Sequence, residues 1–246
     1  MRWYKADIHI HTVLSPCSGL DMSPVNIIRQ AAMKKLDIIG ITDHNSTRHC
    51  RLAQHIGEKY GITVIAGAEI NTREEIHCLT FFENISKADR FQQVIDQYLT
   101  VIRNKPEFFG HQYLVDEEEN ILEEEYRLLV ASLQLGINEI ADRVHELGGF
   151  FIPAHINRLH NGLYSQLGFL PRNLRADALE VAQTAETNNF LTEHPETRDY
   201  CLVTSSDAHS LEQIGASVTE WYLEQPDFME MRQALNCENG RKIRIS

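Results

Sequence analysis

Asp7-Ile8-His9-Ile10-His11-Thr12 (DIHIHT) alternates polar and apolar residues with a period of two. Side chains along an extended strand point to opposite faces in turn, so Asp7, His9 and His11 are predicted to share one face. Two imidazoles one residue apart on a strand stand close enough to share a cation.

Strand-length apolar runs and helix-length amphipathic stretches alternate outward from this segment. Ser23-Pro24 reads as an N-cap followed by proline at the first helical position, opening a helix to about Lys35. Leu36 to Thr42 is a short apolar strand, and a helix from about Thr47 to Tyr60 stops at Gly61. Ile62 to Ala66 is a strand running into Gly67-Ala68-Glu69, and Ile76 to Phe82 is another. After Gly136 a helix over Asn138 to Leu147 is followed by short strands at Phe150 to Ala154, Ala178 to Val181 and Cys201 to Ser205. This order predicts an α/β fold with a mostly parallel sheet, open or closed into a barrel, carrying its polar motifs at the strand C-termini. Residues 83–136 break the rhythm with a helix over Ala88 to Ile102 and an acidic stretch from His111 to Tyr126. They read as an insertion in a single domain, 1–246, serving as a lid or as a solvated charged face.

The 246 residues are 43% hydrophobic and 24% charged, enough apolar content for a substantial core. Acidic residues outnumber basic ones 35 to 23, a net charge of −12 that disfavours general nucleic-acid binding through a basic surface. The opening residues show strand alternation instead of a secretory leader, and no run of about 18 apolar residues suggests a membrane span. A cytoplasmic location is expected, with no membrane partner. The five cysteines lack paired spacings and do not form a disulfide framework.

Histidine is the informative residue type. Six of the twelve histidines sit in short motifs beside apparent strands: His9-x-His11, Thr42-Asp43-His44, Ile76-His77, Pro153-Ala154-His155 and Ser206-Asp207-Ala208-His209. Glu69 of Gly67-Ala68-Glu69 adds a carboxylate. One histidine after a strand is ordinarily structural, but this accumulation of imidazoles and carboxylates would be costly to bury unless paired or metal-bound. The mixture suits Zn, Mn or Fe.

In this order the motifs resemble the polymerase-and-histidinol-phosphatase (PHP) family, from about residue 5 to 225 apart from the insertion. The resemblance implies a distorted seven-stranded (β/α) barrel with two or three divalent transition-metal ions. It places His9, His11, Glu69 and Asp207 on the first ion, Glu69, His77 and His155 on the second, and His44 with His209 on the third. Asp43, and by analogy Asp7, would orient neighbouring imidazoles. The family commonly has histidine or aspartate where this chain has Cys17. A thiolate is chemically able to ligate Zn or Fe, and a free thiol is the alternative, with Asp21 a weaker substitute.

Bridged ions of this kind supply an acidified water and neutralise phosphoryl oxygens, so the expected activity is phosphoester hydrolysis. Arg158 is a candidate phosphate clamp, and Asp207 or His209 is a candidate proton relay to the leaving group. Arg48 and His49 are expected on the surface, and Glu180 has no assigned role. The expected substrate is a small phosphomonoester or nucleotide, without stable nucleic-acid binding. An exonuclease-type phosphodiesterase acting on short oligonucleotides and a non-catalytic metal-binding regulatory module are the alternatives.

Overall fold

The alternating segment forms strand β1 (Arg2–Ile10), whose last five residues are all buried. The structure, a computed structural model, describes residues 1–184 and 186–245. The strands that follow are β2 (Ile38–Ile41), β3 (Thr63–Asn71), β4 (His77–Phe82), β5 (Tyr113–Val115) and β6 (Ile121–Glu124). Then come β7 (Phe150–Pro153), β8 (Leu179–Glu180), β9 (Leu202–Val203), β10 (Thr219–Leu223) and β11 (Lys242–Ile245). The helices are α1 (Pro24–Met33), α2 (Cys50–Tyr60), α3 (Ile85–Tyr98), α4 (Pro106–Phe109), α5 (Ile137–Glu146), α6 (Leu163–Leu167), α7 (Thr187–Glu193) and α8 (Phe228–Leu235).

One curled seven-stranded sheet runs β11-β10-β1-β2-β3-β4-β7, and β8 pairs with β9 beside it. Hydrogen bonds complete a distorted barrel. Asp177 N–H donates to Phe151 O and Ile156 N–H to Glu180 O, joining β7 to β8. Ala208 N–H donates to His9 O and His11 N–H to Ala208 O, joining the segment after β9 back to β1. The barrel is less parallel than expected. Strands β1, β2 and β3 are parallel, but β4 is antiparallel to both β3 and β7. Only residues 72–76 separate β3 from β4, too short a connection for a parallel crossover. The reversal puts His77, the first residue of β4, at the same rim as the C-terminal ends of its neighbours.

Alternation sorts the core into two layers. Ile8, Ile38, Ile65, Leu79, Phe81, Phe150 and Ile152 pack inside the curl with Trp221 and α8. Ile39, Ile41, Val64, Cys78, Phe82 and Phe151 face outward, in one cluster with α1, α2, α3 and α5 residues. Gly40 is required where β2 crosses β1, because a Cβ there would lie 2.3 Å from Ile8 O.

Helix boundaries follow from caps. Ser23 Oγ accepts from Asn26 N–H at the start of α1, as predicted, and Gly61 ends α2 at φ 69°. Helix α2 begins at Cys50 instead of Thr47: Cys50 N–H donates to Thr47 O and closes a turn ahead of the helix, while Thr47 N–H donates to Gln92 Oε1 on α3. His49 is consequently buried, not exposed as expected. Helix α3 begins earlier than predicted, since the Asn84 side chain caps Lys87 N–H, and it ends at Tyr98. The rest of the insertion forms α4, the β5–β6 hairpin and a segment pinned to the rim by Asn45 Nδ2, which donates to Leu129 O and Ala131 O. No described helix is long and apolar enough to cross a membrane.

Candidate metal centre

Every motif histidine reaches one rim. His9 lies at the end of β1 and His11 just after it, despite a register irregularity in the pairing with β2 between Asp7 and Ile10. The segment after β2 carries Asp43 and His44, and pairing continues there through a bridge between His44 and Glu69 of β3. His77 opens β4, His155 follows β7, and Asp207 and His209 follow β9. His155 and Asp207 hold positive φ values of 28° and 52°. Non-glycine residues keep such conformations only where the surroundings enforce them.

Glu69 is the hub. Its Oε1 lies 3.0 Å from His77 Nδ1, 3.1 Å from His155 Nε2 and 3.3 Å from His9 Nε2. Its Oε2 lies 3.1 Å from His44 Nδ1 and 3.3 Å from His11 Nε2. Asp207 Oδ1 stands 3.2 Å from His9 Nε2 and 3.3 Å from His11 Nε2. Among the described residues, three overlapping groups bring ligand atoms within 4.8 Å of one another: His9-His11-Glu69-Asp207, His44-Glu69-His77 and His11-His44-His209. The first coincides with the first-ion set implied by the resemblance. The second holds Glu69 and His77 with His44, while His155 reaches the same Glu69 oxygen.

Hydrogen bonds set which nitrogen of several rings is free. His9 Nδ1 faces the Glu180 carboxylate at 3.1 and 3.3 Å, and a carboxylate accepts, so Nδ1 carries the proton and Nε2 faces the cluster. His209 Nδ1–H likewise donates to Asp207 O at 2.8 Å. His11 Nδ1–H donates to Ser15 Oγ at 3.0 Å. Glu180 also accepts His155 N–H at 3.0 Å, so one buried carboxylate fixes residues from two motifs. Its role was not legible from the sequence, where a single Glu in ALEV has no partner in view.

Asp43 orients His11 indirectly: it accepts from Thr12 N–H, Thr12 Oγ1 and Ser15 Oγ, each at 2.7 Å, and Ser15 holds the ring. Asp7 binds no imidazole. It accepts from Ser206 N–H at 3.0 Å and Gly215 N–H at 2.8 Å, anchoring the loop that bears Asp207 and His209.

Electrostatics describe a site built around positive charge. Burial alone would depress the basicity of His9, but Asp207, Glu180 and Glu69 outweigh it and raise the imidazole well above its ordinary value. His11, also buried, is pushed up to about 9 by Asp207 and Glu69. Burial and the neighbouring His11 lower His44 well below its usual range and push His209 down to about 4. Burial opposes ionisation of Glu69 and Asp207, yet the surrounding imidazoles hold both below the carboxylate range. Four buried atoms here (Glu69 Oε2, Asp207 Oδ1, His44 Nδ1 and His155 Nδ1) have no hydrogen-bond partner. Ionised carboxylates, preset imidazoles and orphaned donor atoms fit a cluster of divalent cations.

Cys17 belongs to none of the three groups and is exposed as a residue. Loss of hydration at its sulfur, then the charge of Glu69, pushes the thiol up to about 12. Arg158 lines a cavity of about 650 Å³ above the cluster, with His160, Asn161 and Thr184. Its guanidinium pairs with Asp207. Arg48 is half-buried and binds Glu123 at 2.6 and 2.9 Å, away from the cavity.

The PHP domain family model matches residues 7–193. The uncharacterized protein YqxK of Bacillus subtilis is 26% identical over 99% of this chain and 64% of its own length. The lesion-specific endonuclease PfuEndoQ of Pyrococcus furiosus has a similar structure, with a TM-score of 0.73 at 21% identity over 98% of this chain and 57% of that one. A Bifidobacterium adolescentis protein assigned as a metal-dependent phosphoesterase superposes with a TM-score of 0.54 at 18% identity, covering 83% of this chain and 87% of its own. The chain thus spans less than two thirds of YqxK and of PfuEndoQ. With its motifs on one rim and the family match covering most of its length, the chain belongs to the PHP domain family.

Proposed function

We propose that this chain hydrolyses phosphoesters with two or three divalent transition-metal ions, Zn, Mn or Fe, held by His9, His11, His44, Glu69, His77, His155, Asp207 and His209. The observation that carries the reading is Glu69, a buried carboxylate touched by five imidazoles at the floor of a cavity. Bound there, the ions supply Lewis acidity and a water acidified to near neutral pH.

The remaining chemistry belongs to the chain. Glu180 and Ser15 keep His9 and His11 in one tautomer. Arg158, on the cavity wall, turns its guanidinium from Asp207 to a substrate phosphate and binds two oxygens at once. His209, half-buried with its Nδ1–H committed to Asp207 O, has an unprotonated Nε2 left to serve as a metal ligand. Cys17 is a free thiol at the rim in this reading. In this reading residues 83–136 brace the rim, through Leu129 and Ala131 on Asn45.

The substrate we favour is a small phosphomonoester or nucleotide, because the site is a cavity and the net charge is −12. A second reading, cleavage of a phosphodiester in DNA, draws support from the likeness to PfuEndoQ across nearly the whole chain. Both are tested by adding Mn²⁺ to the metal-stripped chain. Phosphate release from nucleotides and sugar phosphates is followed beside strand cleavage of short and lesion-bearing oligonucleotides. His9→Ala should lose metal and turnover together. Full metal uptake with no hydrolysis of any of these substrates would instead favour a regulatory module.

A further inference from the structure

The His11 ring is connected to the insertion by an unbroken chain of buried hydrogen bonds. Val115 of β5 donates its backbone N–H to His49 Nε2 at 3.1 Å. A backbone amide only donates, so Nε2 must accept and the ring proton sits on Nδ1. That Nδ1–H donates to Thr12 Oγ1 at 2.6 Å. Thr12 Oγ1–H in turn donates to Asp43 Oδ2 at 2.7 Å, and Asp43 Oδ1 accepts from Ser15 Oγ at 2.7 Å. With its proton committed to Asp43, the Ser15 oxygen accepts both His44 N–H at 3.1 Å and His11 Nδ1–H at 3.0 Å. His11 is thereby left with Nε2 as the nitrogen facing Glu69 and Asp207. Thr12, Ser15, Asp43 and His49 are all essentially inaccessible to water, so no solvent molecule is at hand to replace a missing link.

We infer that His49 is a positioning residue through which the β5–β6 hairpin holds His11 ready for a cation. The inference rests on the metal-site reading above and adds a role for the insertion. Polarity is what the chain transmits. Without the Val115 amide, His49 is free to carry its proton on Nε2, and Nδ1 would then compete with Asp43 for the Thr12 proton. Asp43 would lose a donor, and the order of the Ser15 and His11 protons would lose its anchor.

The test titrates the metal-stripped full chain with Mn²⁺ alone, by calorimetry, with folding checked by circular dichroism. His49→Leu, which occupies the space but makes neither bond, should weaken the tightest Mn²⁺ binding about 10-fold, the scale of effect of groups that orient a ligand. His49→Gln should recover most of that loss, since an amide is able to accept from Val115 and donate to Thr12. Adding His49→Leu to Ser15→Ala should cost nothing beyond Ser15→Ala alone, because both cut one chain. Thr12→Val is measured beside them and severs the same chain should His49→Leu fail to fold. Native-like Mn²⁺ affinity in the folded Leu and Val variants overturns the inference, as does a Gln variant no better than Leu, or additive losses. A native chain that takes up no Mn²⁺ would overturn the metal-site reading, and this inference with it.

Discussion

Single atoms decide what each site residue does. Glu180 holds His9 by its charge and His155 by a backbone hydrogen bond. Glu180→Gln keeps an acceptor for the His155 amide but removes the charge facing His9 Nδ1. Metal affinity should fall by about 10- to 100-fold with the fold intact, measured by Mn²⁺ titration of the variant. Arg158 is different in kind: it lines the cavity and touches one carboxylate of the cluster. Arg158→Ala should leave metal content unchanged and lower kcat/KM for a phosphoester by about 10- to 100-fold, the worth of a charge-assisted hydrogen bond. A lysine at 158 should recover only part of the loss, because an ammonium lacks the planar pair of donors.

The insertion is the element whose contribution the structure changes most. Gly110, just after α4, has φ 99°, and a Cβ there would lie 2.0 Å from Pro16 O in the loop bearing Cys17. Gly110→Ala should cost about 1–3 kcal/mol of stability, read by denaturant unfolding. At the end of β6, Glu125 is buried and bonded to Arg127 at 2.8–3.0 Å. Burial would raise its carboxyl, but Arg127 and then Arg48 hold it below the ordinary value of 4.5. A depressed carboxylate stabilises the fold above its unfolded value and loses that contribution as pH falls through the folded value. The melting-temperature advantage of the native chain over Glu125→Gln should therefore be constant near neutral pH and shrink on acidification below about pH 4.5. A difference that grows on acidification would contradict this pairing.

At the scale of the whole molecule, the barrel gathers ionised carboxylates and crowded imidazoles that no protein group fully satisfies. Saturating the cluster with Mn²⁺ should raise stability by about 3 kcal/mol at a hundredfold excess over Kd. For a domain of this size that is roughly 5–10 °C in melting temperature, reversed by a chelator and checked by calorimetry. The sequence by itself determined the inventory: strands marked by apolar alternation, the Ser23 and Gly61 helix signals, and the histidines, Glu69 and Asp207 that the strands deliver to one rim. These are local features, because residue type and spacing act within a few positions along the chain. Only the tertiary structure decided the rest. The inward turn of His49, the service of Glu180 to two motifs and the anchoring of the last motif loop by Asp7 all depend on partners remote in sequence. Hydrogen bonds are directional and short, so which remote partner a buried polar group meets is set by packing, and no periodicity in the chain records it.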